Sequence, residues 1–218
     1  MKKQYIINSE GLTVYYDSSL MTEIERKLGA LSSEKYKVMK NAVNATAKKA
    51  KADLIAKAQE EYTAKKSPLN KSTTKKNATV SKPEATITVK SKVLEVRDFK
   101  ATAPKSGAKA KIRQSGNLKT IQSQKGSKAK AFLATFQSGH TAVVQRQDGE
   151  RYSDSASIQR RKAQWGAGTD MTRIKKLLSI SFPKMVGGSS VLGKIGPGIM
   201  KDLKKNIQIE IRKVLDNQ

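Results

Sequence analysis

The spacing of apolar residues is most regular between Ser32 or Ser33 and about Lys65. Small and apolar residues recur there every three or four positions, while lysines occupy the other faces, as in an amphipathic α-helix. The stripe consists of Tyr36, Met39, Val43, Ala47, Ala50, Leu54, Ala58 and Tyr62. At about 1.5 Å per residue this helix spans roughly 50 Å. That length exceeds what a small core needs, so we expect part of the helix to pack on other subunits.

Two shorter helical patterns flank this one. Ser19–Leu28 predicts a short helix that ends at Gly29. Further along, Gly196-Pro197-Gly198 precedes a helix that extends to about Leu215. Its apolar face consists of Ile199, Leu203, Ile207, Ile211 and Val214.

Strand-like alternation separates the helices. A hairpin is predicted around Ser138-Gly139-His140, with Asp148-Gly149 as a second turn that leads to another short strand. The predicted strands are Leu12–Tyr16, 85–90, 93–96, the two arms of the hairpin at 130–136 and 141–147, and 174–182. Together these elements predict an α+β fold, with a small, mostly antiparallel sheet packed with a long N-terminal helix and a C-terminal helix.

Three polar stretches are predicted to be loops. Residues 65–82 look like a connection with one helical turn near Leu69–Lys75, and residues 153–172 look like a surface loop. Residues 100–130 hold few apolar side chains and predict a long basic loop or arm with a strand near Ala110–Arg113. We therefore expect an N-terminal extension at 1–31 and a single domain at 32–218 that contains this arm.

Composition narrows the classes of protein. Hydrophobic residues make up 37% and aromatic residues 5%, so the core is expected to be small and aliphatic. The absence of cysteine excludes disulfide scaffolds and thiolate chemistry. With His140 as the only histidine, a multi-histidine metal site is excluded. The start of the sequence does not resemble an export signal, and no run of eighteen apolar residues occurs. We expect a soluble protein without membrane partners.

Positive charge dominates the sequence. Lys and Arg number 44 against 18 Asp and Glu, a net charge of +26, and half of the excess lies in residues 67–130. The stretch 100–130 contains no acidic residue, so it is predicted to contact phosphates or an acidic neighbour. The candidate contact residues are Lys100, Lys105, Lys109, Lys111, Arg113, Lys119, Lys125, Lys128 and Lys130. Because aromatic residues are not interleaved with them, any nucleic-acid contact should be to the backbone and indifferent to sequence.

No catalytic pattern stands out. Glu84, Glu95 and Asp98 lack a spacing typical of a metal-dependent nuclease, and no phosphate-binding loop of the Walker type occurs. His140 is expected at a hairpin tip. Trp165 is expected either to anchor a partner or to pack its loop onto the core. The sequence predicts a protein that is not an enzyme and has no cofactor, with a nuclease or other enzyme as an alternative.

Several short motifs carry a family resemblance. They are Ala131-Phe132-Leu133, Val143-Val144-Gln145-Arg146, Ile174-Lys-Lys-Leu177 and Pro183-Lys-Met-Val186, set between the long helix and the closing helix. In their order they resemble the prophage minor tail protein Z family of tailed bacteriophages, also described as tail completion proteins. The resemblance covers about residues 35–215. The stretch 100–130 and the residues through Leu31 depart from it.

The resemblance implies a structural virion component and not an enzyme. Such a subunit forms a homo-oligomeric ring that completes the head-proximal end of the tail, in the neck region where head and tail join. Its implied partners are the tail terminator, tail tube and head connector, with possible non-specific contact with phage DNA. It is implied to lie in the virion, and in the host cytoplasm during assembly. We expect Phe132, Val143, Val144 and Ile174 in the core. The main alternative is a sequence-nonspecific nucleic-acid-binding protein of ribosomal or nucleoid type, which the charge alone supports.

Overall fold

The computed structural model describes residues 5–8, 11–15, 18–90, 93–121, 130–187 and 189–217. The chain divides into two compact units, one formed by the residues through Val93 together with those from Ile180 onward, and the other by Leu94–Ser179. The predicted α+β class, with long helices toward both ends and small antiparallel sheets, is confirmed. The predicted boundary at residue 31 stays a prediction.

Six α-helices and twelve strands are formed by the described residues. The helices are α1 (Ser18–Leu28), α2 (Lys35–Glu61), α3 (Lys66–Lys71), α4 (Ser155–Trp165), α5 (Phe182–Val186) and α6 (Ser189–Asp216). The strands are β1 (Tyr5–Asn8), β2 (Gly11–Val14), β3 (Thr73–Lys76), β4 (Ala85–Val89), β5 (Val93–Glu95), β6 (Lys100–Thr102), β7 (Lys109–Lys111), β8 (Lys119–Thr120), β9 (Phe132–Thr135), β10 (Thr141–Arg151), β11 (Thr172–Lys176) and β12 (Leu178–Ser181).

Helices α2 and α6 pack against each other along the first unit. The predicted apolar stripe of α2 is buried from Met39 to Ala58, and its alanines allow a close approach of the two backbones. A polar link lies inside this contact. The hydroxyl of Thr46 donates to the carbonyl of Ala42 at 2.8 Å and accepts from the amide of Asn206 at 2.9 Å. Much of the long helix therefore finds its partner within the same chain.

Helix α6 begins well before the point that the sequence predicted. Gly196-Pro197-Gly198 was expected to precede the helix, which was wrong, since Ser189–Asp216 is one helix and Pro197 lies inside it. Proline removes one backbone hydrogen bond there, but Val191, Ile195 and Ile199 are buried on either side of it. Burial of this continuous apolar face offsets the missing bond.

The sheet of the first unit has the strand order β1-β2-β4-β3, and every neighbouring pair is antiparallel. Leu12 lies opposite Ile87, and both side chains are buried. Gly11 has a φ of +152°, and a Cβ built there would lie 1.9 Å from the Ile87 carbonyl oxygen. Only glycine fits that position. In the predicted connection at 65–82, the helical turn expected near Leu69–Lys75 is present slightly earlier as α3, whereas strand β3 was not predicted.

The second unit contains the predicted hairpin. Phe132 of β9 pairs with Val144 of β10 in antiparallel register. The second turn predicted at Asp148-Gly149 was wrong, because β10 continues through it to Arg151. Its pairing with β11 shifts register between Arg146 and Arg151, so the turn signal marks an irregularity within one strand.

Helix α4 lies where the sequence predicted a loop. The carboxylate of Asp154 caps it by accepting hydrogen bonds from the backbone amides of Ala156 and Ser157, at 3.2 and 2.8 Å. No residue of α4 is fully buried, so the helix has no apolar stripe for a periodicity argument to detect. Trp165 at its end is 66% exposed, which contradicts packing onto the core of its own unit.

The expected core residues divide into two pairs. Val143 and Val144 are buried, as predicted. Phe132 and Ile174 are half-buried and line a cleft of the second unit. No helix among the described residues is both long and apolar enough to cross a bilayer.

Candidate polyanion-binding face

The stretch predicted as a basic loop forms a small sheet from Lys100 to Thr120. Its strands have the order β6-β7-β8, and both pairs are antiparallel. Lys100 lies opposite Lys111, Ala101 opposite Ala110, and Thr102 opposite Lys109. Directly opposed residues point to the same side of a sheet, and successive residues point to opposite sides. The alanines therefore share one face and the lysines share the other.

The alanine face packs onto the core of the second unit. The core here is a cluster of buried side chains formed by Val96, Ala108, Ala131 and Val143. It is contacted by Ala101 and Ala110 of the sheet and by the following residue Ile121. Because alanine adds little side-chain volume, the sheet lies close against the cluster. This packing fixes which side of the sheet faces outward.

The outward side carries Lys100, Lys109 and Lys111, which we call the lysine face. Lys100 and Lys111 lie directly opposite each other across β6 and β7. Like charges in that position destabilise a strand pair by up to about 1 kcal/mol. Lys109 lies opposite a threonine on each side, Thr102 on β6 and Thr120 on β8. The lysine face therefore concentrates positive charge on one side of this small sheet.

The other predicted contact residues are dispersed. Lys105 lies in the turn between β6 and β7, Arg113 follows β7, and both are exposed. Lys119 lies opposite Ala110, on the other side of the sheet, and borders a pocket of about 390 Å³. Lys130 precedes β9 and is exposed. Lys125 and Lys128 lie outside the described residues. The structure thus gathers three of the nine predicted residues on one face.

Acidic groups in the second unit are engaged elsewhere. Glu95 lies 2.9 Å from His140 Nε2 and 3.4 Å from Lys176 Nζ. Asp170 Oδ2 lies 2.9 Å from Arg146 Nε. Among the described residues, none of the ion pairs involves Lys109 of the lysine face. Within the described residues, no carboxylate is paired with Lys109.

The carboxylates considered for a nuclease have structural contacts. Glu84 lies 2.6 Å from Lys82 Nζ. The carboxylate of Asp98 accepts from the backbone amide of Glu95 at 2.9 Å in a capping box. His140 is exposed at the hairpin turn, as predicted, and its ring stacks on Phe136. In the part of the chain that the structure describes, no three His, Asp or Glu side chains cluster as a metal site would require.

Sequence reasoning missed a second feature, a cleft of about 770 Å³ between β9 and α4. We call it the arginine cleft because Arg146, Arg160 and Arg161 border it. The signal was present in the sequence as Asp154, a good N-cap, followed by Arg161 and Trp165 at the i, i+4 spacing of one helix face. It was obscured because this helix lacks an apolar stripe.

Comparisons with known proteins give no relative. No family model matches the chain, and no curated protein and no solved structure matches it significantly. Its function is therefore argued from its own residues.

Proposed function

We propose that the chain is a structural, non-enzymatic virion protein of a tailed bacteriophage. In this proposal it is a ring subunit that completes the head-proximal end of the tail. One observation carries the proposal: three separate stretches that bear the resemblance to the minor tail protein Z family build one sheet.

The sheet is formed by β9, β10 and β11. Phe132 lies opposite Val144, and Arg146 lies opposite Ile174. The guanidinium of Arg146 also lies 5.4 Å from the ring centroid of Phe132, a cation–π distance. The convergence of these motifs in one sheet supports the proposal, because a fold shared with that family would bring them together.

The charge supports an assembled working state. A chain with net charge +26 repels itself, and an anionic neighbour would relieve that repulsion. The lysine face offers a contact for DNA that passes through a tail or for acidic surfaces of neighbouring rings. The tail terminator, tail tube and head connector are the proposed partners, and the virion neck is the proposed location.

Deletion of the gene in a phage or lysogen that encodes this chain tests the proposal. We expect electron micrographs to show filled heads and finished tails that are not joined, with joined particles restored by the wild-type gene. Light scattering on the purified chain should give a closed oligomer. Normal virion yields after deletion would overturn the proposal.

The lysine face favours a second candidate function, that of a sequence-nonspecific nucleic-acid-binding protein acting outside a virion. Phosphate contacts release counterions, so the logarithm of the binding constant falls with the logarithm of the salt concentration by about 0.9 for each contact. Tight, steeply salt-dependent DNA binding by a monomer, together with normal virions after deletion, would favour this candidate over the ring subunit.

A further inference from the structure

The arginine cleft follows the open edge of a sheet. Strand β9 is at the edge of the sheet β11-β10-β9, and among the described residues its strand partner is β10 alone. Each residue from Phe132 through Ser138 borders the cleft. Because side chains alternate between the two faces of a strand, a cavity bordered by consecutive residues runs along the strand's edge. Backbone amides and carbonyls on that edge therefore face the cleft.

One face of α4 forms the opposite wall. Five residues of α4 border the cleft, namely Ser157, Arg160, Arg161, Gln164 and Trp165. Because they recur at intervals of three or four residues, they lie on one side of the helix. The resulting groove lies between an edge strand and a helix. Its volume of about 770 Å³ is within the range of about 300–1,000 Å³ typical of ligand pockets.

The arginines that line the cleft favour an acidic ligand. Asp170 also borders the cleft, but it is held by Arg146 at 2.9 Å and by the backbone amide of Thr172 at 2.8 Å. Arg160 donates to the side-chain oxygen of Gln137 at 3.3 Å. The guanidinium of Arg161 lies 3.8 Å from the ring centroid of Tyr152. Within the described residues, no ion pair involves Arg160 or Arg161. The charge of Arg160 acts on the carboxylate of Asp154, but that carboxylate is bound by the backbone amides of Ala156 and Ser157. Both guanidinium groups can therefore receive carboxylates.

Apolar surface is exposed beside these charges. Leu133 is 49% exposed and Trp165 is 66% exposed, and both border the cleft.

We propose that the arginine cleft binds an extended acidic peptide segment of a partner protein, which adds a strand to the open edge of β9. Its carboxylates pair with Arg160 and Arg161, and its apolar side chains pack on Leu133 and Trp165. The inference depends on the geometry of the second unit and not on the proposed virion function.

Two other occupants fit less well. A second copy of this chain brings a net charge of +26 toward an already cationic cleft. A nucleic-acid strand offers phosphate acceptors, but its sugar–phosphate backbone lacks the N–H donors that the carbonyls of an edge strand require. A peptide backbone supplies both donors and acceptors at the spacing of β9.

The first experiment measures binding to the full chain by fluorescence anisotropy. The probes are labelled hexapeptides in which Glu alternates with Val, Leu, Phe or Trp. We expect at least one of them to bind with a dissociation constant below 100 µM, a value chosen as about the weakest that a short peptide with several backbone bonds should show. N-methylation of alternate peptide amides should weaken that binding at least tenfold, since it removes the strand hydrogen bonds. The same peptides with Lys in place of Glu should not bind.

The second experiment locates the site. Arg160→Glu should weaken binding of the best peptide at least tenfold, and Trp165→Ala should weaken it severalfold. Lys162→Glu is the matched control, because Lys162 is exposed on α4 and does not border the cleft. That variant should change binding less than twofold. Circular dichroism of each variant confirms that it is folded.

Several results would overturn the proposal. They are the absence of binding by every acidic hexapeptide at 1 mM, equal binding of the N-methylated peptide, and equal losses from Arg160→Glu and Lys162→Glu. Displacement of the peptide by a hexathymidylate that binds more tightly than the peptide would assign the cleft to single-stranded nucleic acid instead. Deletion of the gene from a phage tests the virion role separately, so either proposal can fail without the other.

Discussion

The two units place their positive charge on different elements. In the first unit, lysines pair with carboxylates along helices, as in Lys27 with Glu23 at 2.7 Å and Lys57 with Glu60 at 2.7 Å. The second unit holds seven of the nine arginines of the chain, and its pairs lie between neighbouring strands or loops, as in Arg146 with Asp170 at 2.9 Å. The lysine face and the arginine cleft belong to these small sheets, whereas the long helices of the first unit bury a continuous apolar face.

The largest effect is expected in the core of the first unit. Leu203 is fully buried on α6, and Leu203→Ala should lower the free energy of unfolding by about 2–5 kcal/mol because it removes apolar contacts and leaves a cavity. Urea denaturation followed by circular dichroism measures the change. Leu215→Ala on the same helix is the control, since Leu215 is 43% exposed and should cost less than about 0.5 kcal/mol. Equal losses for the two variants would contradict the assignment of this core.

In the second unit, the expected effect is on DNA binding by the lysine face. Replacement of Lys100, Lys109 and Lys111 together by Glu should remove the three phosphate contacts that we propose for the lysine face. The slope of log binding constant against log salt for duplex DNA should become shallower by about 3, at about 0.9 per contact. Gel-shift titrations at several salt concentrations measure this slope.

The control for that experiment changes the charge of the first unit by the same amount. Lys48, Lys201 and Lys205 are exposed on α2 and α6, and their joint replacement by Glu equals the lysine-face variant in net charge. We expect this control to change the slope by less than half as much. If both triple variants lose equal slope, DNA responds to net charge alone and the lysine face is no special site.

Sequence patterns located the elements with strong apolar periodicity. The apolar stripe of α2 and the hairpin that pairs Phe132 with Val144 were predicted correctly. In both, the spacing of apolar residues along the sequence matches the side of the element that packs inward. The strand predicted near Ala110–Arg113 overlaps β7, but β6 and β8 were missed in the same stretch. Alanine is a weak hydrophobic signal, and the many lysines suggested that the rest of the stretch is a solvated loop.

The candidate sites depend on pairing that local patterns do not reveal. The nine basic residues were predicted as one group, but strand register decides that Lys100 and Lys111 share a face while Lys119 lies on the other. The arginine cleft needs β9 and α4 to lie side by side. A periodicity argument treats each element alone, so it cannot place Arg160 beside Gln137.

A smaller effect is expected from the polar link between α2 and α6. Thr46→Val keeps the shape of the side chain but leaves the amide of Asn206 without its acceptor. The free energy of unfolding should fall by about 1–2 kcal/mol, the cost of a lost hydrogen bond and a partly buried unsatisfied donor. Thr22→Val is the control, because the Thr22 hydroxyl bonds Ser18 on an exposed surface. Stability equal to that of the wild type would show that the two helices are held by apolar contact alone.

The smallest effect concerns the cap of α4 and depends on pH. Hydrogen bonds from Ser157 and Ala156 lower the pKa of Asp154 below its ordinary value. Its ionised form therefore stabilises the helix above the pKa of the unfolded chain, and this contribution is lost as the pH falls through the lower pKa of the folded chain. NMR titration of the Ala156 and Ser157 amides should show both moving together at that lower pH. Asp154→Asn also caps a helix but does not titrate, so its amides should stay unchanged over the same range, and matching titrations in both proteins would assign the shift to another group.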